Sequence, residues 1–403
     1  SSHFGSRRRG RPAPRAGRRG AARRAMIDPV VSVSTAAHCF DVQFHPREPL
    51  LAAATITGAI ELHRFDAEAE TTDLLRTIQN HKESCRTARF LVDAGDSQGA
   101  PAPRLASAAS NGFTVLSDVE TGKRLWRTKL QAGGNALLPL SSERFAVGDD
   151  EGGIAVYDVR KRKVKKPVVE YAENSDFITD LAYAADKQTL CATSGDGTLA
   201  VYDLRKNGTP GLVAMSDFQE DEFLSLDIVR NGTKVICGSQ TGVLCIFSWG
   251  DFGDQKDRIT GHPMSVDALV KVAEDGVITG SSDGMIRVVA VHSIEHGSAI
   301  IGNIGEHGED PIERLALSAD GELIASASHG QPSIQVWQTA VAHRLLTAKS
   351  GQLASAYKEK EAGSDDSDSS EDAPKKKKRR KGKRKNRAAA NTGHRAASFF
   401  AEL

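Results

Sequence analysis

A tight turn that contains glycine recurs seven times along this chain, each time between two short apolar runs. The turn glycines are Gly58, Gly112, Gly153, Gly197, Gly242, Gly284 and Gly330, at intervals of 54, 41, 44, 45, 42 and 46 residues. Such turns between apolar runs indicate β-hairpins, because a type I′ turn needs positive φ at both central residues. A period of about 40–45 residues built from hairpins is typical of a propeller blade. The repeat therefore predicts an all-β fold, a seven-bladed β-propeller.

Blade four shows the unit most clearly, with predicted strands at 177–183, 189–193 and 198–202 around the turn 194–197. One blade alone leaves apolar faces and strand edges uncovered, so the blades must close into a ring. We expect 30–34 to close the ring as the outer strand of the last blade, next to 333–337. A second possibility is closure by 344–348.

The net charge of +1 hides a strong segregation of charge along the chain. Residues 1–25 contain nine arginines and no acid, and residues 349–403 contain 15 basic and 8 acidic residues. The remaining 26–348 carry 29 basic and 44 acidic residues. We therefore predict an arginine-rich disordered segment at 1–26, a propeller at 27–348, and a disordered tail at 349–403, acidic first and then basic.

The basic part of the tail has 11 basic residues among 13 positions. They are Lys375, Lys376, Lys377, Lys378, Arg379, Arg380, Lys381, Lys383, Arg384, Lys385 and Arg387. Such a run is typical of a nuclear and nucleolar address that also holds RNA nonspecifically through counterion release. The alternative is a solvated tail without an address. No aromatic residue interrupts the run, which argues against sequence-specific RNA recognition.

Two further segments carry charge. Seven acids lie between 359 and 372, where Ser369 precedes Asp372 by three residues, a pattern that acidophilic kinases accept. This segment is either a phosphorylation site or a plain acidic linker.

The loop 160–166, placed between blades three and four, is the one basic patch expected on the acidic body. It either contacts RNA or a partner, or is an ordinary exposed loop.

Three interpretations of residues 1–25 remain open: an RNA-binding arm, an organellar transit peptide, or a segment outside the native product, with Met26 as the start. The five cysteines form no CxxC pair, and we expect buried free thiols in a reducing compartment. We find no catalytic set, no phosphate loop, no paired histidines at metal-ligand spacing and no apolar run long enough to cross a membrane. The sequence thus predicts neither an enzyme nor a cofactor.

The chain resembles the WD-repeat propellers. Tyr157-Asp158 and Tyr202-Asp203 stand where that family has Trp-Asp, and Trp337 keeps the tryptophan. More narrowly, it resembles the nucleolar WD repeat-containing protein 55 family, through Phe44-His45-Pro46, Ser194-Gly195-Asp196-Gly197, Phe247-Ser248-Trp249-Gly250 and the closing Phe399-Phe400-Ala401-Glu402-Leu403. This resemblance implies a WD40-type scaffold in ribosomal RNA production. It also implies that His81, His262 and His307 are structural, with Asp180 and Asp267 as acidic partners.

A second resemblance points to another class of function. Asp158 with Arg160, and Asp203 with Arg205, stand at the spacing seen in propellers that dock on the adaptor of cullin-4 ubiquitin ligases. The alternative is that each pair merely finishes a strand. We therefore expect a monomeric nuclear and nucleolar scaffold that binds pre-ribosomal assembly factors, or else a substrate receptor of a cullin-4 ligase.

Overall fold

A computed structural model of the chain describes residues 26–91, 103–161, 166–206, 211–292, 297–308, 310–328 and 330–363, with side chains up to 351. Seven four-stranded antiparallel sheets form the blades of a propeller. Within a blade, the first strand is innermost and the fourth is outermost. The predicted seven-bladed, all-β fold is confirmed.

The strands of the first four blades are as follows. Blade one contains β2 (Cys39–Phe44), β3 (Leu50–Thr55), β4 (Ile60–Asp66) and β5 (Thr71–Ile78). Blade two contains β6 (Cys85–Leu91), β7 (Arg104–Ala109), β8 (Phe113–Asp118) and β9 (Arg124–Lys129). Blade three contains β10 (Gly134–Pro139), β11 (Arg144–Asp149), β12 (Ile154–Asp158) and β13 (Val169–Tyr171). Blade four contains β14 (Ile178–Ala184), β15 (Thr189–Ser194), β16 (Leu199–Asp203) and β17 (Leu212–Met215), so the three strands predicted there lie within one residue of those observed.

The last three blades complete the ring. Blade five contains β18 (Phe223–Val229), β19 (Lys234–Ser239), β20 (Leu244–Ser248) and β21 (Asp257–Ile259). Blade six contains β22 (Val266–Ala273), β23 (Gly276–Ser281), β24 (Met285–Ala290) and β25 (Ala299–Glu306). Blade seven contains β26 (Ile312–Leu317), β27 (Leu323–Ser328) and β28 (Ser333–Gln338), with β1 (Val31–Ser34) as its outer strand.

Closure of the ring follows the first of the two predicted routes. β1 pairs antiparallel with β28, with Val31 opposite Val336 and Val33 opposite Ile334. Residues 344–348, the second possibility, instead belong to a helix, α1 (Ala340–Gly363). Leu346 in α1 packs against Gly276 of blade six and is 4% exposed.

α1 continues past residue 348, the predicted end of the propeller, to Gly363. Residues 364–403 lie outside the described part, so the prediction for the rest of the tail stays a prediction. In the described part, α1 is not apolar enough to cross a membrane. All five cysteines are buried free thiols, as expected.

The turns between second and third strands differ from the predicted type I′ geometry. In blade four the N–H of Gly197 donates to the C=O of Ser194 at 3.1 Å, and in that turn only the glycine has positive φ, +77°. This is the pattern of a type I turn followed by a left-handed glycine. In blade three the left-handed glycine is Gly152 at +83°, not Gly153, and Gly330 in blade seven has no left-handed φ.

Every innermost strand carries a register shift near its start, where one residue has no partner on the second strand. The skipped residues are Phe40, Arg86, Asn135, Thr179, Leu224, Asp267 and Glu313. A bulge bends a strand and increases its twist, which suits a strand that turns toward the central channel.

Candidate functional site

Two equivalent aspartate–arginine pairs lie at the ends of the third strands of blades three and four. The Arg160 guanidinium donates to Asp158 at 3.0 Å from Nε and 2.6 Å from a terminal nitrogen. Arg205 donates to both oxygens of Asp203, each at 2.8 Å. The main-chain N–H of each arginine also donates to the same carboxylate at 3.0 Å. The four predicted residues therefore form two copies of one motif.

The members of each pair differ in exposure. The side chains of Arg160 and Arg205 are 62% and 64% exposed, whereas those of Asp158 and Asp203 are 6% and 9% exposed. Hydrogen bonding from Arg205 lowers the pKa of Asp203 to about 2, and Arg160 lowers the pKa of Asp158 in the same way. A guanidinium has five N–H groups, so each arginine retains donors for an external carboxylate or carbonyl.

Buried tyrosines fix the position of both pairs. Tyr202 is fully buried, stacks on Tyr171 with ring centroids 4.3 Å apart, and donates to Asn174 at 3.0 Å. Tyr157 is 3% exposed and lies 5.3 Å from the ring of Trp126. Tyrosine thus fills the core position before each aspartate, and the arginine two residues later emerges from a rigid strand end.

The basic loop lies elsewhere than predicted. It connects β12 to β13 within blade three, because β13 is the outer strand of that blade, and does not link blades three and four. Arg160 and Lys161 form a short 3-10 turn with Val159, and Lys161 and Lys166 are exposed. Arg160 also contacts Glu143 at 3.2 Å. Residues 162–165 lie outside the described residues.

The three histidines are structural, but their partners are hydroxyl groups. His81 Nε2 lies 2.7 Å from Ser107 Oγ, and His262 Nε2 lies 2.9 Å from Thr279 Oγ1. His307 lies 3.5 Å from Ser326 Oγ, which accepts from Trp337 Nε1 at 2.9 Å. Burial lowers the pKa of all three histidines to about 4, so they are neutral at physiological pH.

The prediction that Asp180 and Asp267 pair with histidines is wrong. Asp180 accepts the main-chain N–H of Leu181 at 2.9 Å and that of Leu226, in the next blade, at 3.0 Å. Asp267 accepts the hydroxyl groups of Ser265 and Ser282 at 2.9 and 2.7 Å. The carboxylate of Asp180 lies near the channel, where it reaches a main-chain N–H group of the neighbouring inner strand and not a histidine.

The central channel contains a cavity of about 420 Å³. Asp41 and Asp227 join neighbouring blades as Asp180 does: Asp41 accepts the N–H of Ala88 at 2.9 Å, and Asp227 that of Lys271 at 2.8 Å. Burial raises the pKa of Asp227 to about 6. These acids are occupied by main-chain donors, so the channel wall holds the ring together. Among the described residues no group of histidine, cysteine or acidic side chains is arranged to hold a metal ion.

Sequence reasoning missed a second group of basic side chains. Arg76 on β5 and Arg124, Arg127 and Lys129 on β9 lie at the outer rim of blades one and two, and all but the half-buried Arg127 are exposed. These residues form no contiguous basic run in the sequence, because they come from two separate strands. Period-two alternation on a predicted outer strand was the available signal. The basic residues between 375 and 387, which are predicted to act in targeting, and Ser369 lie outside the described residues.

Comparison with known proteins adds to this geometry. The sequence profile of the WDR55 family matches residues 31–342. The chain is similar to WD repeat-containing protein 55 of Arabidopsis thaliana, with 35% identity over 332 residues that cover 82% of this chain and 88% of that protein. It is 30% identical to the Homo sapiens protein of the same name, over 80% of this chain and 82% of that protein. WD repeat-containing protein JIP5 of Cryptococcus neoformans is 33% identical, over 72% and 77% respectively.

Proposed function

The chain belongs to the WD repeat-containing protein 55 family, and from this membership we propose that it is a non-enzymatic scaffold in nucleolar ribosomal RNA processing and ribosome assembly. The observation that carries the proposal is the division of charge between the propeller and its tail. Residues 26–348 contain 29 basic and 44 acidic residues, whereas 11 of the 13 residues from 375 to 387 are basic.

This division suggests separate roles for the two parts. A closed ring of rigid blades offers several surfaces for protein partners, and its excess of acids disfavours nonspecific contact with RNA. The basic run would bind RNA by releasing counterions from the phosphate backbone, which concentrates the protein where RNA is dense. Pre-ribosomal assembly factors are the proposed partners of the propeller.

Deletion of 375–387 tests the retention step. A fluorescent fusion of the full chain should concentrate in the nucleolus, and the deletion should spread through the cell. Deletion of the acidic segment 359–372, which has similar length, is the control and should leave the nucleolar signal in place. Unchanged nucleolar localisation without 375–387 would refute the proposed role of the tail.

A second function, substrate receptor of a cullin-4 ligase, is favoured by the paired motif of blades three and four. Arg160 and Arg205 are both oriented by a buried aspartate and both largely exposed. Two preoriented guanidinium groups on adjacent blades provide donors that an adaptor surface with carboxylates or carbonyls could accept.

Affinity purification with mass spectrometry separates the two functions. If the ligase function holds, the adaptor co-purifies with the wild type and is lost from the double variant Arg160→Ala, Arg205→Ala. The double variant Lys166→Ala, Lys206→Ala removes nearby exposed charge and should retain it. Recovery of pre-ribosomal factors without ligase subunits, unaffected by either double variant, would support the assembly function alone.

A further inference from the structure

A cleft of about 720 Å³ opens beside β9 at the rim of blade two. It is lined by Phe113 and by the residues of β9. The buried side of β9 faces blade three, since Trp126 packs against Phe145 and Tyr157. Strand residues alternate between faces, so Leu125, Arg127 and Lys129 face blade one.

Blade one supplies a further cation to this side. Arg76 lies opposite Leu62 in β4, and Leu62 packs with buried residues of blade two. An Arg76 terminal nitrogen is 3.5 Å from the carbonyl oxygen of Thr121, in the turn before β9. Arg76 therefore lies beside the turn that leads into β9, next to the cleft and outside its lining.

The charge of the cleft is opposite to that of the surrounding body. None of Arg76, Arg127 and Lys129 is in an ion pair with a described residue. The Arg127 guanidinium lies 3.4 Å from the centre of the Phe113 ring, and its Nε is buried without a hydrogen-bond partner. Asp118 lies near Arg76, but its carboxylate accepts the main-chain N–H of Thr121 at 2.7 Å. Lys129 and Arg127, the cations that line the cleft on this face, thus have no carboxylate partner among the described residues.

The outer edge of β9 is also unpaired. β9 is hydrogen-bonded on one side to β8 and is the last strand of its sheet. The N–H of Leu130 donates to Gly112 toward β8 at 2.8 Å. Alternation along the strand then directs the main-chain groups of Arg127 and Lys129 outward. The other long outer strands differ, because β25 is covered where Ile27 donates to Ile304 at 3.0 Å, and β5 contributes one basic residue, Arg76.

From these observations we infer that the cleft beside β9 binds an extended acidic segment of a partner protein, which adds a strand to the free edge of blade two. Carboxylates on one face of the segment would pair with Arg127 and Lys129, which line the cleft, and a carboxylate at the end of the segment would pair with Arg76 beside it. Polypeptide is favoured over RNA because the Phe113 face is occupied by Arg127 and cannot stack on a base, whereas a strand edge recognises a peptide main chain.

Hydrogen–deuterium exchange of the full chain tests the inference at the site itself. The probe is a peptide of alternating glutamate and valine, about eight residues long, a common strand length. Peptide at saturation should slow exchange in residues 124–130. It should leave exchange in the outer strand of blade four, residues 212–215, unchanged. A peptide of alternating lysine and valine should have no effect.

Substitutions distinguish the contribution of the cleft's charge to peptide binding from that of the free strand edge. The double variant Arg76→Glu, Lys129→Glu should need about tenfold more peptide for the same protection, since it replaces attraction between opposite charges with repulsion between like charges. Lys129→Gln and Lys129→Pro both remove the charge, but only proline removes the outward N–H, so the proline variant should bind more weakly. Arg258→Glu, on the outer strand of blade five, is the matched control and should bind normally. Thermal midpoints establish that each variant is folded.

Absence of protection in 124–130 at saturating glutamate–valine peptide would overturn the inference. So would equal protection by an oligouridylate, which would make the cleft an RNA site. Equal binding by the Gln and Pro variants would remove the strand-addition part of the inference.

Discussion

In blades four and five, the left-handed glycine of the turn between the second and third strands is required by its conformation and by its neighbours. Gly197 has φ of +77°, and a Cβ added there would meet the main-chain oxygens of Gln219 and Asp221, the latter at 2.9 Å. Gly242 has φ of +84° and would meet the oxygens of His262 and Met264, both at 2.5 Å. The turn of one blade therefore packs directly on the chain entering the next, and a side chain would separate them.

Three glycine substitutions separate these two effects. Gly197→Ala should lower the free energy of unfolding by about 3 kcal/mol or more, because it combines a left-handed φ with a main-chain clash. Gly250→Ala, with φ of +85° and no neighbour within 4 Å, should cost about 1–2 kcal/mol. Gly253→Ala, which has no left-handed φ and open space, should change stability by less than about 0.5 kcal/mol. Urea denaturation measures all three, and equal losses for Gly197 and Gly250 would show that packing adds nothing.

At the scale of residues, the sequence predicted the position of a residue in its strand better than it predicted the hydrogen-bond partner of that residue. It placed Asp158, Arg160, Asp203 and Arg205 correctly at strand ends, since the spacing from each turn is local. It failed for Asp180, whose partner Leu226 belongs to another blade. Contacts between blades depend on the bulge and twist of inner strands, and neither is visible in a pattern of residue types.

At the scale of elements, one short strand holds the ring closed. Val33 of β1 is fully buried opposite Ile334, while Ser32 next to it is exposed. The side chains of β1 join the core cluster shared by blades seven and one, including Phe44 and Leu51. The four residues of β1 thus pair with the edge of β28 and pack against one side of blade one.

Val33→Asp should open this closure. An unpaired carboxylate in the core of blades seven and one should lower stability by roughly 3–5 kcal/mol. Ser32→Asp adds the same charge at the neighbouring exposed position and should change stability little. Limited proteolysis and thermal unfolding measure the effect. Similar behaviour of the two variants would show that the ring does not depend on β1.

The sequence predicted the strands more reliably than the helix. Alternation and turn residues mark strands locally, whereas α1 is stabilised by distant partners: Leu346 packs on Gly276 and Leu345 on Gly302. Small residues on blade six make room for that helix. The local sequence of 340–363 carries no signal for the surface of blade six on which the helix packs.

At the scale of the whole molecule, buried histidines make stability depend on pH. The pKa of His262 is about 4 in the folded chain, lowered by burial, against about 6.5 when unfolded. Between these values the unfolded chain binds a proton that the folded chain does not, so the contribution is complete above about pH 6.5 and is lost as pH falls toward 4. Asp227, whose pKa is raised to about 6, acts in the opposite direction.

His262→Gln isolates one of these groups. The variant should be less stable than the wild type at pH 7.5, and the difference should shrink at pH 5 because protonation then destabilises only the wild type. Asp227 is present in both proteins, so its effect cancels in the comparison. Denaturant unfolding at the two pH values provides the measurement. A difference that does not change with pH would contradict the assigned pKa.

The architecture of the whole molecule was the most predictable part, because a period repeated seven times averages out local irregularities. The rim cleft was the least predictable. Arg76 reaches the carbonyl oxygen of Thr121, 45 residues later in the chain, only because successive blades lie side by side.

Closure by β1 also has a consequence for biosynthesis. β1 emerges from the ribosome about 300 residues before β28, its partner. At a synthesis rate of about 5–20 residues per second, the first strand waits roughly 15–60 s for the last one. During that interval the nascent chain exposes the two valines of β1 and the side of blade one that β1 will cover. Closure by the first strand therefore prolongs the interval in which the nascent chain is exposed to aggregation.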